Sequence, residues 1–262
     1  MIITSKDNEL IKNIKKLKDK KYRDERNEFI VEGIKMVGEA IKEEANIKNI
    51  IICDDCYNNC EIPSELKYEI AKRKIIYVSQ KVFDSITDVT NPQGILAVVE
   101  KNKVNDIDYK QDFFLILDDI QDPGNIGTIL RTADSLNYKQ IIVSKGTADV
   151  YDPKVVRSTM GAIFRIRVVE VENLAKTIKE MKKHKITVYA TDLRTDKSIY
   201  DVDYKKSAIV IGNEANGVSE EVLNEASQRI KIPMIGKTES LNAAVATSII
   251  LYESYRSIGK IK

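Results

Sequence analysis

Short apolar runs alternate with amphipathic segments along most of the chain. In the first hundred residues the apolar runs are FIVEG, IKNIIIC, IIYVS and GILAVVE, and the segments between them include IKMVGEAIKEEA, YEIAKRK and QKVFDSIT. Short apolar runs of this kind predict strands, and segments with a period near 3.6 residues predict helices. The pattern therefore predicts a small α/β module that ends near Glu100.

A basic segment precedes this module and predicts one helix over residues 10–26. Leu10, Ile14 and Leu17 fall near one face of such a helix. Cations crowd the remaining positions, namely Lys12, Lys15, Lys16, Lys18, Lys20, Lys21, Arg23 and Arg26. Two interpretations fit this pattern, a solvated helix face and a surface that binds nucleic-acid phosphates.

The alternation resumes after the polar segment KNKVNDIDYKQD, which has no periodicity and predicts a linker over residues 101–112. The apolar runs that follow include FFLILDDI, QIIVS, ITVYATD, SAIVIGNE and RIKIPMI, and the helical segments include PKVVRSTMGAIF and SLNAAVATSIILYESYRSI. Such alternation favours a mostly parallel sheet that is covered by helices on both faces. We therefore predict two α/β domains, at residues 1–100 and 113–262.

Composition narrows the class of protein. Of the 262 residues 43% are hydrophobic, which is enough for an ordinary core and excludes a wholly disordered chain. The net charge is only +2, so any contact with nucleic acid must come from local patches. No apolar run approaches the roughly 20 residues that cross a bilayer, and the first residues lack the apolar segment of a signal peptide. We expect a cytoplasmic protein that does not bind a membrane.

Histidine and cysteine limit the available chemistry. The one histidine, His184, lies in the lysine-rich stretch KEMKKHK, which disfavours mechanisms that need a histidine base or several histidine ligands. The three cysteines, Cys53, Cys56 and Cys60, occur together in CDDCYNNC. A closed zinc site needs four ligands, and this spacing differs from the usual cluster-binding sequences. We expect a reduced polar loop here and no metal.

Function in a parallel α/β sheet concentrates at the carboxyl ends of the strands, and three of the loops there are unusual. The first lies in DDIQDPGNIGTILRTADSLN, where DPGN predicts a turn and Gly127 allows close backbone approach at the helix start. Arg131 then lies about one and a half turns into the predicted helix, where an arginine suits a phosphate group. The alternative is a capped helix with a solvent-facing arginine.

The second loop lies in IVIGNEANGVSEEV. An apolar strand ends in Gly212, Asn213 and Glu214, and Gly217 precedes a new helix with Ser219 as the candidate N-cap. Glycines at a strand end let a ligand lie against bare backbone, and a glutamate there can accept hydrogen bonds from amino or hydroxyl groups. The pattern is not the glycine fingerprint of dinucleotide-binding proteins. A simple strand-to-helix turn is the alternative.

The third loop lies in IPMIGKTESLNAAVATSIILYE. Pro233 and Met234 end a predicted strand, and a polar loop then leads to Ser240, Leu241 and Asn242 at the start of a helix. Alanines make the first turns of that helix slender, so that backbone or another chain can come close. High helix propensity alone would explain the alanines but not the serine and asparagine before them.

Together these segments resemble the three signature motifs of the SpoU (TrmH-type) RNA 2′-O-ribose methyltransferases, within the SPOUT superfamily. The matching residues form three groups, each at a strand–helix junction: Asn125, Gly127 and Arg131; Gly212, Asn213, Glu214 and Gly217; and Pro233, Met234, Ser240, Leu241, Asn242 and Ala246. The resemblance to the catalytic domain runs from about Phe113 to Tyr255. FIVEGIKMVGEAI and NPQGILAVVE also resemble the substrate-binding domain that often precedes it.

The resemblance implies a C-terminal trefoil knot, S-adenosylmethionine as the cofactor, and a homodimer with its active sites near the subunit interface. It implies catalytic roles for Arg131, Asn125, Glu214, Ser240 and Asn242. Because arginine stays protonated, we expect Arg131 to grip the phosphate beside the target ribose and not to act as the base. The residues expected to bind the cofactor are Gly212, Ile232, Met234, Leu241, Thr191 and Gly217, and those expected to bind RNA are Lys15, Lys16, Lys20 and Arg157.

The substrate expected from this resemblance is a ribose 2′-hydroxyl of ribosomal RNA, because the N-terminal domain resembles those of ribosomal enzymes. A methyltransferase for transfer RNA ribose is one alternative. A base methyltransferase of the wider superfamily is a second, against which the SLN motif with Asn125 and Arg131 argues. A catalytically idle RNA-binding assembly factor is the third, and the intact Arg131, Glu214 and Asn242 argue against it.

Overall fold

The computed structural model describes residues 2–53, 57, 61–102 and 106–261, and the chain forms two compact units. The first unit comprises Met1–Lys103 together with Asp149–Arg165, and the second comprises Val104–Ala148 together with Ile166–Lys262. The predicted domain division assigns residues 149–165 to the domain 113–262, whereas their packing assigns them to the first unit. A segment from the middle of the chain thus contributes to the unit that contains the N-terminal residues.

The N-terminal part of the first unit contains strands and helices in alternation. In chain order they are β1 (Ile2–Ile3), α1 (Glu9–Lys16), α2 (Lys20–Arg26), β2 (Glu28–Glu32), α3 (Ile34–Lys42), β3 (Ile47–Cys53), α4 (Ser64–Ala71), β4 (Ile75–Val78), α5 (Gln80–Ile86) and β5 (Ile95–Glu100). The strands form a mixed sheet in the order β1-β4-β3-β5-β2, in which β5 pairs antiparallel with both β3 and β2. The four predicted strands of this region are confirmed, and β1 was not predicted.

The single helix predicted over residues 10–26 is wrong, because the segment forms two helices. The side chain of Asp19 accepts a hydrogen bond from the amide of Lys21 and so begins α2. The Arg23 guanidinium donates to the carbonyl oxygens of Leu17 and Lys18 and so provides hydrogen-bond partners for the backbone between the two helices. Asp19, which the single-helix prediction placed inside a helix, is therefore the N-cap of α2.

The remaining elements follow in chain order. They are β6 (Phe113–Asp118), α6 (Pro123–Ser135), β7 (Gln140–Ser144), α7 (Pro153–Ser158), α8 (Ala162–Arg165), β8 (Arg167–Val171), α9 (Leu174–Lys183), β9 (Thr187–Thr191), β10 (Ser207–Gly212), α10 (Glu220–Glu225), β11 (Gln228–Ile230) and α11 (Ala243–Ser257). Helices α7 and α8 belong to the first unit. The six strands of the second unit are all parallel, in the order β11-β9-β10-β6-β7-β8, which confirms the predicted α/β fold with a mostly parallel sheet.

Two predicted elements of the C-terminal half are shorter than expected. The helix predicted from PKVVRSTMGAIF is interrupted at Gly161, whose φ of +99° is incompatible with a continuous helix. The strand predicted from RIKIPMI ends at Ile230, opposite Thr191 at the end of β9. The backbone of Lys231 bonds instead to Lys197 and Ile199, so Pro233 and Met234 lie in a loop and do not end a strand.

Parallel pairing brings the important loops together. β6 and β10 run in register, with Asp118 opposite Gly212, so the loops that follow them begin side by side. The amide of Ser219 donates to Asp118 Oδ2 at 2.8 Å, which ties the far end of the second loop to the start of the first. The carboxyl edge of the sheet is therefore where this unit gathers its polar side chains.

Candidate active site

The Glu214 carboxylate joins the loop after β10 to the loop after β6. Its oxygens accept hydrogen bonds from the amides of Gln121 and Asp122, each at 3.1 Å, and from Asn125 Nδ2 at 2.8 Å. Asp122 also caps α6 by accepting a hydrogen bond from the amide of Asn125 at 2.9 Å. One glutamate thus fixes both a loop and the first turn of a helix.

Asn242 extends this network to α11. Its Nδ2 donates to Asn125 Oδ1 at 2.9 Å, and its Oδ1 accepts hydrogen bonds from the amides of Ala244 and Val245 at 2.9 and 3.3 Å. Since each amide side chain donates through nitrogen and accepts through oxygen, the hydrogen bonds run in one direction, from the start of α11 through Asn125 to Glu214. The structure therefore brings together three of the five predicted catalytic residues.

The surroundings of Glu214 favour its ionised form. Desolvation is the largest influence and raises the pKa of this carboxyl, but the hydrogen bonds from Asn125 and the neighbouring backbone amides together outweigh it. The pKa of Glu214 therefore lies below its ordinary value of 4.5. A carboxylate with a lowered pKa whose oxygens already accept three hydrogen bonds is a poor proton acceptor, so this geometry suits Glu214 for ordering the loops.

A cavity of about 890 Å³ opens beside the network, within the size range of small-molecule sites. Its walls include the buried apolar side chains of Ile211, Leu223 and Ile230. All six residues predicted to bind the cofactor line it, namely Thr191, Gly212, Gly217, Ile232, Met234 and Leu241. Glu214, Ser240 and Asn242 line it too.

Gly212 and Gly217 have different reasons to be glycine. A Cβ on Gly212 would lie 2.0 Å from the amide nitrogen of Val218 and 2.1 Å from the carbonyl carbon of Gly217, so Gly212 is needed for the loop to fold back on itself. Gly217 has a φ of +70°, and a Cβ there would meet nothing within 4 Å. Of these two glycines, Gly217 is the one that presents bare backbone next to open space, whereas Gly212 also lines the cavity but has a reason to be glycine within the loop itself.

Arg131 is not where the sequence placed it. Helix α6 begins at Pro123, so Arg131 lies roughly 12 Å along the helix axis from its N-terminus, more than two turns away. The expected position of Arg131, about one and a half turns into the helix, is therefore wrong. The side chain is exposed, and within the described ranges it has no hydrogen bond, ion pair or place in the cavity wall.

Ser240 is also exposed, and no described residue forms a hydrogen bond with it. It lines the cavity two residues before Asn242 caps α11. Arg131 and Ser240 are thus the two predicted catalytic residues whose polar groups this network leaves available.

The predicted RNA-binding residues lie in the first unit. Lys15, Lys16 and Lys20 are exposed on α1 and α2. Lys16 lies 5.5 Å from the centre of the Tyr22 ring, a cation–π distance. Arg157 on α7 is partly buried, with Nη1 at 3.9 Å from Glu32 Oε2 and without a hydrogen-bond partner.

Other cations of the predicted basic helix serve the fold. Arg23 is only 2% exposed, and its Nε donates to Asp149 Oδ2 at 2.8 Å. Lys18 Nζ donates to the Thr87 carbonyl at 2.9 Å and to Asp88 Oδ1 at 2.6 Å. Counting every Lys and Arg of residues 10–26 as part of a nucleic-acid surface is therefore wrong.

Several residues that shape the site were not predicted from the sequence. Asp119 and Ser144 hydrogen bond to each other at the ends of β6 and β7, and Asp119 also accepts a hydrogen bond from Asn213. The acidic pair LDD at the end of an apolar run was the available signal. Asp192 and Arg194, at the cavity wall, were missed as well.

The described residues form neither a metal cluster nor a membrane-spanning helix. They contain no group of three or more His, Cys, Asp or Glu side chains arranged to hold a metal ion. Cys53 is buried at the end of β3, whereas Cys56 and Cys60 lie outside the described residues. None of the described helices is long and apolar enough to span a bilayer.

Comparison with known families agrees with the site. The SpoU rRNA Methylase family matches residues 112–252, which contain the whole Glu214–Asn125–Asn242 network. The MRM3-like substrate binding domain matches residues 8–97. The two matches follow each other along the chain and cover most of it.

Individual relatives match over nearly their whole length. The 23S rRNA (guanosine(2553)-2′-O)-methyltransferase RlmP of Bacillus subtilis is 34% identical over 95% of this chain and 97% of its own. The AdoMet-bound rRNA methyltransferase from Sinorhizobium meliloti is 31% identical with a TM-score of 0.85, covering 98% of both chains. The SpoU methyltransferase AviRb from Streptomyces viridochromogenes, in complex with AdoMet, is 27% identical with a TM-score of 0.84, covering 96% of this chain and 98% of its own. The chain belongs to the SpoU rRNA methylase family.

Proposed function

We propose that the protein transfers the methyl group of S-adenosylmethionine to a ribose 2′-hydroxyl of ribosomal RNA. The observation that carries this proposal is the hydrogen-bonded series Glu214–Asn125–Asn242, of which Glu214 and Asn242 line the cavity, within the region that matches the SpoU rRNA Methylase family. Two relatives that match along nearly the whole chain are rRNA methyltransferases by name, which favours rRNA over tRNA. An rRNA substrate also favours a cytoplasmic location.

The cavity suits S-adenosylmethionine. Its wall combines apolar side chains with polar ones that can orient a ligand, as small-molecule sites do. Gly217 leaves room for close contact with backbone, and Ile232, Met234 and Leu241 provide apolar surface around the opening. These contacts support the six residues as the cofactor site, within the trefoil knot that the family resemblance implies.

The bound cofactor supplies a methyl group activated by its sulfonium, and the protein must align an oxygen nucleophile with it. Asn125 and Asn242 hold fixed amide orientations at the site, and Ser240 offers a free hydroxyl beside them. Arg131 stays protonated, so its part is to bind the phosphate next to the target ribose and to stabilise negative charge that develops on the 2′-oxygen.

A homodimer accounts for the distance between Arg131 and the cavity. Helices α6 and α11 pack together through Thr132 and Ser248, whose hydroxyls lie 3.2 Å apart. Val245 and Tyr252, seven residues apart on α11, expose 48% and 47% of their surface. Two exposed side chains on the helix that packs against the helix of Arg131, together with an Arg131 that pairs with no described residue, fit an interface at which a second copy completes the site.

Cofactor binding and methyl transfer test the proposal in turn. S-adenosylmethionine should raise the melting temperature, because a ligand of the native state stabilises it by mass action. With tritiated cofactor, the protein should label 23S rRNA from Bacillus subtilis lacking RlmP more than total tRNA from the same cells. Mapping of ribose methylation should start at guanosine 2553, the position in the relative's name. A calorimetric titration that detects no binding of S-adenosylmethionine would refute the methyltransferase assignment. Preferential labelling of tRNA would refute the choice of rRNA.

A further inference from the structure

Asp119 adopts an unusual backbone conformation directly after β6. Its φ of 58° lies in the left-handed region, which residues with a side chain rarely occupy unless their surroundings require it. Ser144, the last residue of β7, holds Asp119 in this conformation through two hydrogen bonds. The Asp119 amide donates to Ser144 Oγ at 2.8 Å, and Ser144 Oγ donates to Asp119 Oδ1 at 2.5 Å.

The loop after β7 encloses Asp119 from a second side. A Cβ on Gly146 would lie 2.3 Å from Asp119 Oδ1, so only glycine leaves room for the carboxylate. Gln121 Nε2 donates to the Gly146 carbonyl, and the Ala148 amide donates to the Ile120 carbonyl at 2.9 Å. These contacts hold the start of the loop after β6 against the loop after β7.

Asp119 in turn holds the residue before Glu214. Its carbonyl oxygen accepts a hydrogen bond from Asn213 Nδ2 at 2.8 Å. Asn213 Oδ1 accepts hydrogen bonds from the amides of Ala215 and Asn216 at 3.0 and 3.1 Å, which shapes the turn around Glu214. The contacts therefore continue from Ser144 through Asp119 and Asn213 to the glutamate that orders the active-site asparagines.

We propose that Asp119 is a positioning residue for methyl transfer. Ser144 hydrogen bonds to the Asp119 carboxylate, and the absence of a side chain at Gly146 leaves room for it. In this position Asp119 keeps the turn at residues 213–217 in the arrangement in which Glu214 can hydrogen bond to Asn125. The left-handed backbone at Asp119 directs its carbonyl oxygen towards Asn213. The hydrogen bonds between Asp119 and Ser144 stabilise this backbone conformation. Only the catalytic consequence rests on the proposed function.

Single-turnover methylation with saturating cofactor tests this role, using 23S rRNA from Bacillus subtilis lacking RlmP. Asp119→Gly and Ser144→Ala should each slow methyl transfer by about tenfold or more, with the Kd for S-adenosylmethionine within about threefold of the parent. Asp119→Asn should restore the rate, because asparagine tolerates the left-handed region and its Oδ1 can accept the Ser144 hydrogen bond. Thr177→Ala, which removes a hydroxyl from α9, is the matched control and should leave the rate unchanged.

Gly146→Ala gives an independent perturbation. The added methyl group displaces the Asp119 carboxylate, so this variant should be slowed as much as Asp119→Gly. In the Asp119→Gly background the methyl group has no carboxylate to displace, so the double variant should be no slower than Asp119→Gly alone. If Asp119 had a purely structural role, Asp119→Gly would lower the melting temperature. Its methyl-transfer rate at temperatures well below that melting temperature would then equal the rate of the parent. That result, or additive losses in the double variant, would overturn the proposal.

Amide hydrogen exchange separates this inference from the proposed function. In Asp119→Gly the amides of residues 213–217 should exchange faster than in the parent, whether or not the RNA chosen is methylated. Unchanged exchange would overturn the positioning role. A parent protein that exchanges as expected but methylates no RNA would count against the proposed function alone.

Discussion

The two units use their polar residues differently because their sheets differ. In the second unit the six strands are parallel, and polar side chains after β6, β7 and β10 bond to one another across three loops. In the first unit β5 runs antiparallel to its neighbours, and polar side chains form small groups in different places, such as Thr87 with Glu32, and Asn46 and Lys48 with Glu100. A parallel sheet thus concentrates polar groups where one ligand can reach several of them.

Two arginines show the same contrast. Arg23 in the first unit is buried and donates to Asp149 and to two backbone carbonyls. Arg131 in the second unit is exposed, and no described residue accepts a hydrogen bond from it. An arginine whose donors are used by its own unit stabilises the fold, whereas one with free donors is available to a ligand. Substitutions at the two positions should therefore affect different measurements.

The largest effect on stability should come from Arg23→Ala. Removing one partner of a buried ion pair leaves Asp149 unpaired and costs about 3–5 kcal/mol of unfolding free energy. Urea denaturation measures this loss, and Arg26→Ala in the same helix, which breaks one hydrogen bond to Asn13, should cost about 1 kcal/mol. A loss for Arg23→Ala no greater than for the control would show that the buried pair does not stabilise the first unit.

Arg131→Ala should have the largest effect on turnover. Loss of a group that stabilises transition-state charge reduces kcat by about 100- to 1,000-fold, and the Kd for the cofactor should hardly change because Arg131 lies outside the cavity wall. Arg131→Lys should recover little, since lysine lacks the planar fork of donors. Arg167→Ala, which removes one bond to the Asp106 carbonyl, is the control. Near-parental single-turnover rates in Arg131→Ala would refute the assignment.

A smaller effect, visible in its pH dependence, is expected for Glu214→Gln. Because the folded-state pKa of Glu214 is lowered, its carboxylate stabilises the native state above the unfolded pKa, and this contribution is lost as the pH falls through the folded pKa. The melting temperature of the parent should therefore exceed that of Glu214→Gln at pH 7, and the difference should shrink below about pH 4.5. A difference that stays constant down to pH 3 would exclude an ionised Glu214 as its cause.

The smallest effect per residue should come from the exposed lysines of the first unit. Replacing Lys15, Lys16 and Lys20 with alanine should weaken RNA binding and reduce the slope of log affinity against log salt by about 2 to 3, if each lysine contacts one phosphate. The pair Lys176→Ala and Lys179→Ala, on α9 of the second unit, is the control. An unchanged slope in the triple variant would identify these lysines as a solvated face.

Much of the fold could be predicted because apolar periodicity is a local property. The central strands of the second unit are buried on both faces, so their residues appear as continuous apolar runs such as FFLIL and SAIVI. Helix boundaries were less predictable. Asp19 caps one helix and Pro123 begins another, yet the single helix predicted over residues 10–26 passes through Asp19, and Pro123 was assigned to a preceding turn.

The site could be predicted residue by residue but not as a network. Asn125, Glu214 and Asn242 stood out at strand ends and by family resemblance, whereas their mutual hydrogen bonds depend on β6 lying next to β10. Strand order over a separation of some ninety residues leaves no local signal in one sequence. Asp119 was missed for a similar reason, because its importance lies in a backbone angle and in the absence of a side chain at Gly146.

The placement of residues 149–165 bears on whether the two units are separable modules. Val155, Val156 and Ile163 of this segment are buried, and Phe29 on β2 packs its ring against those of Tyr151 and Phe164. A truncation that deletes the first hundred residues would uncover these side chains in the middle of the remaining chain. A module boundary drawn near residue 100 would therefore separate this segment from the strand against which it packs.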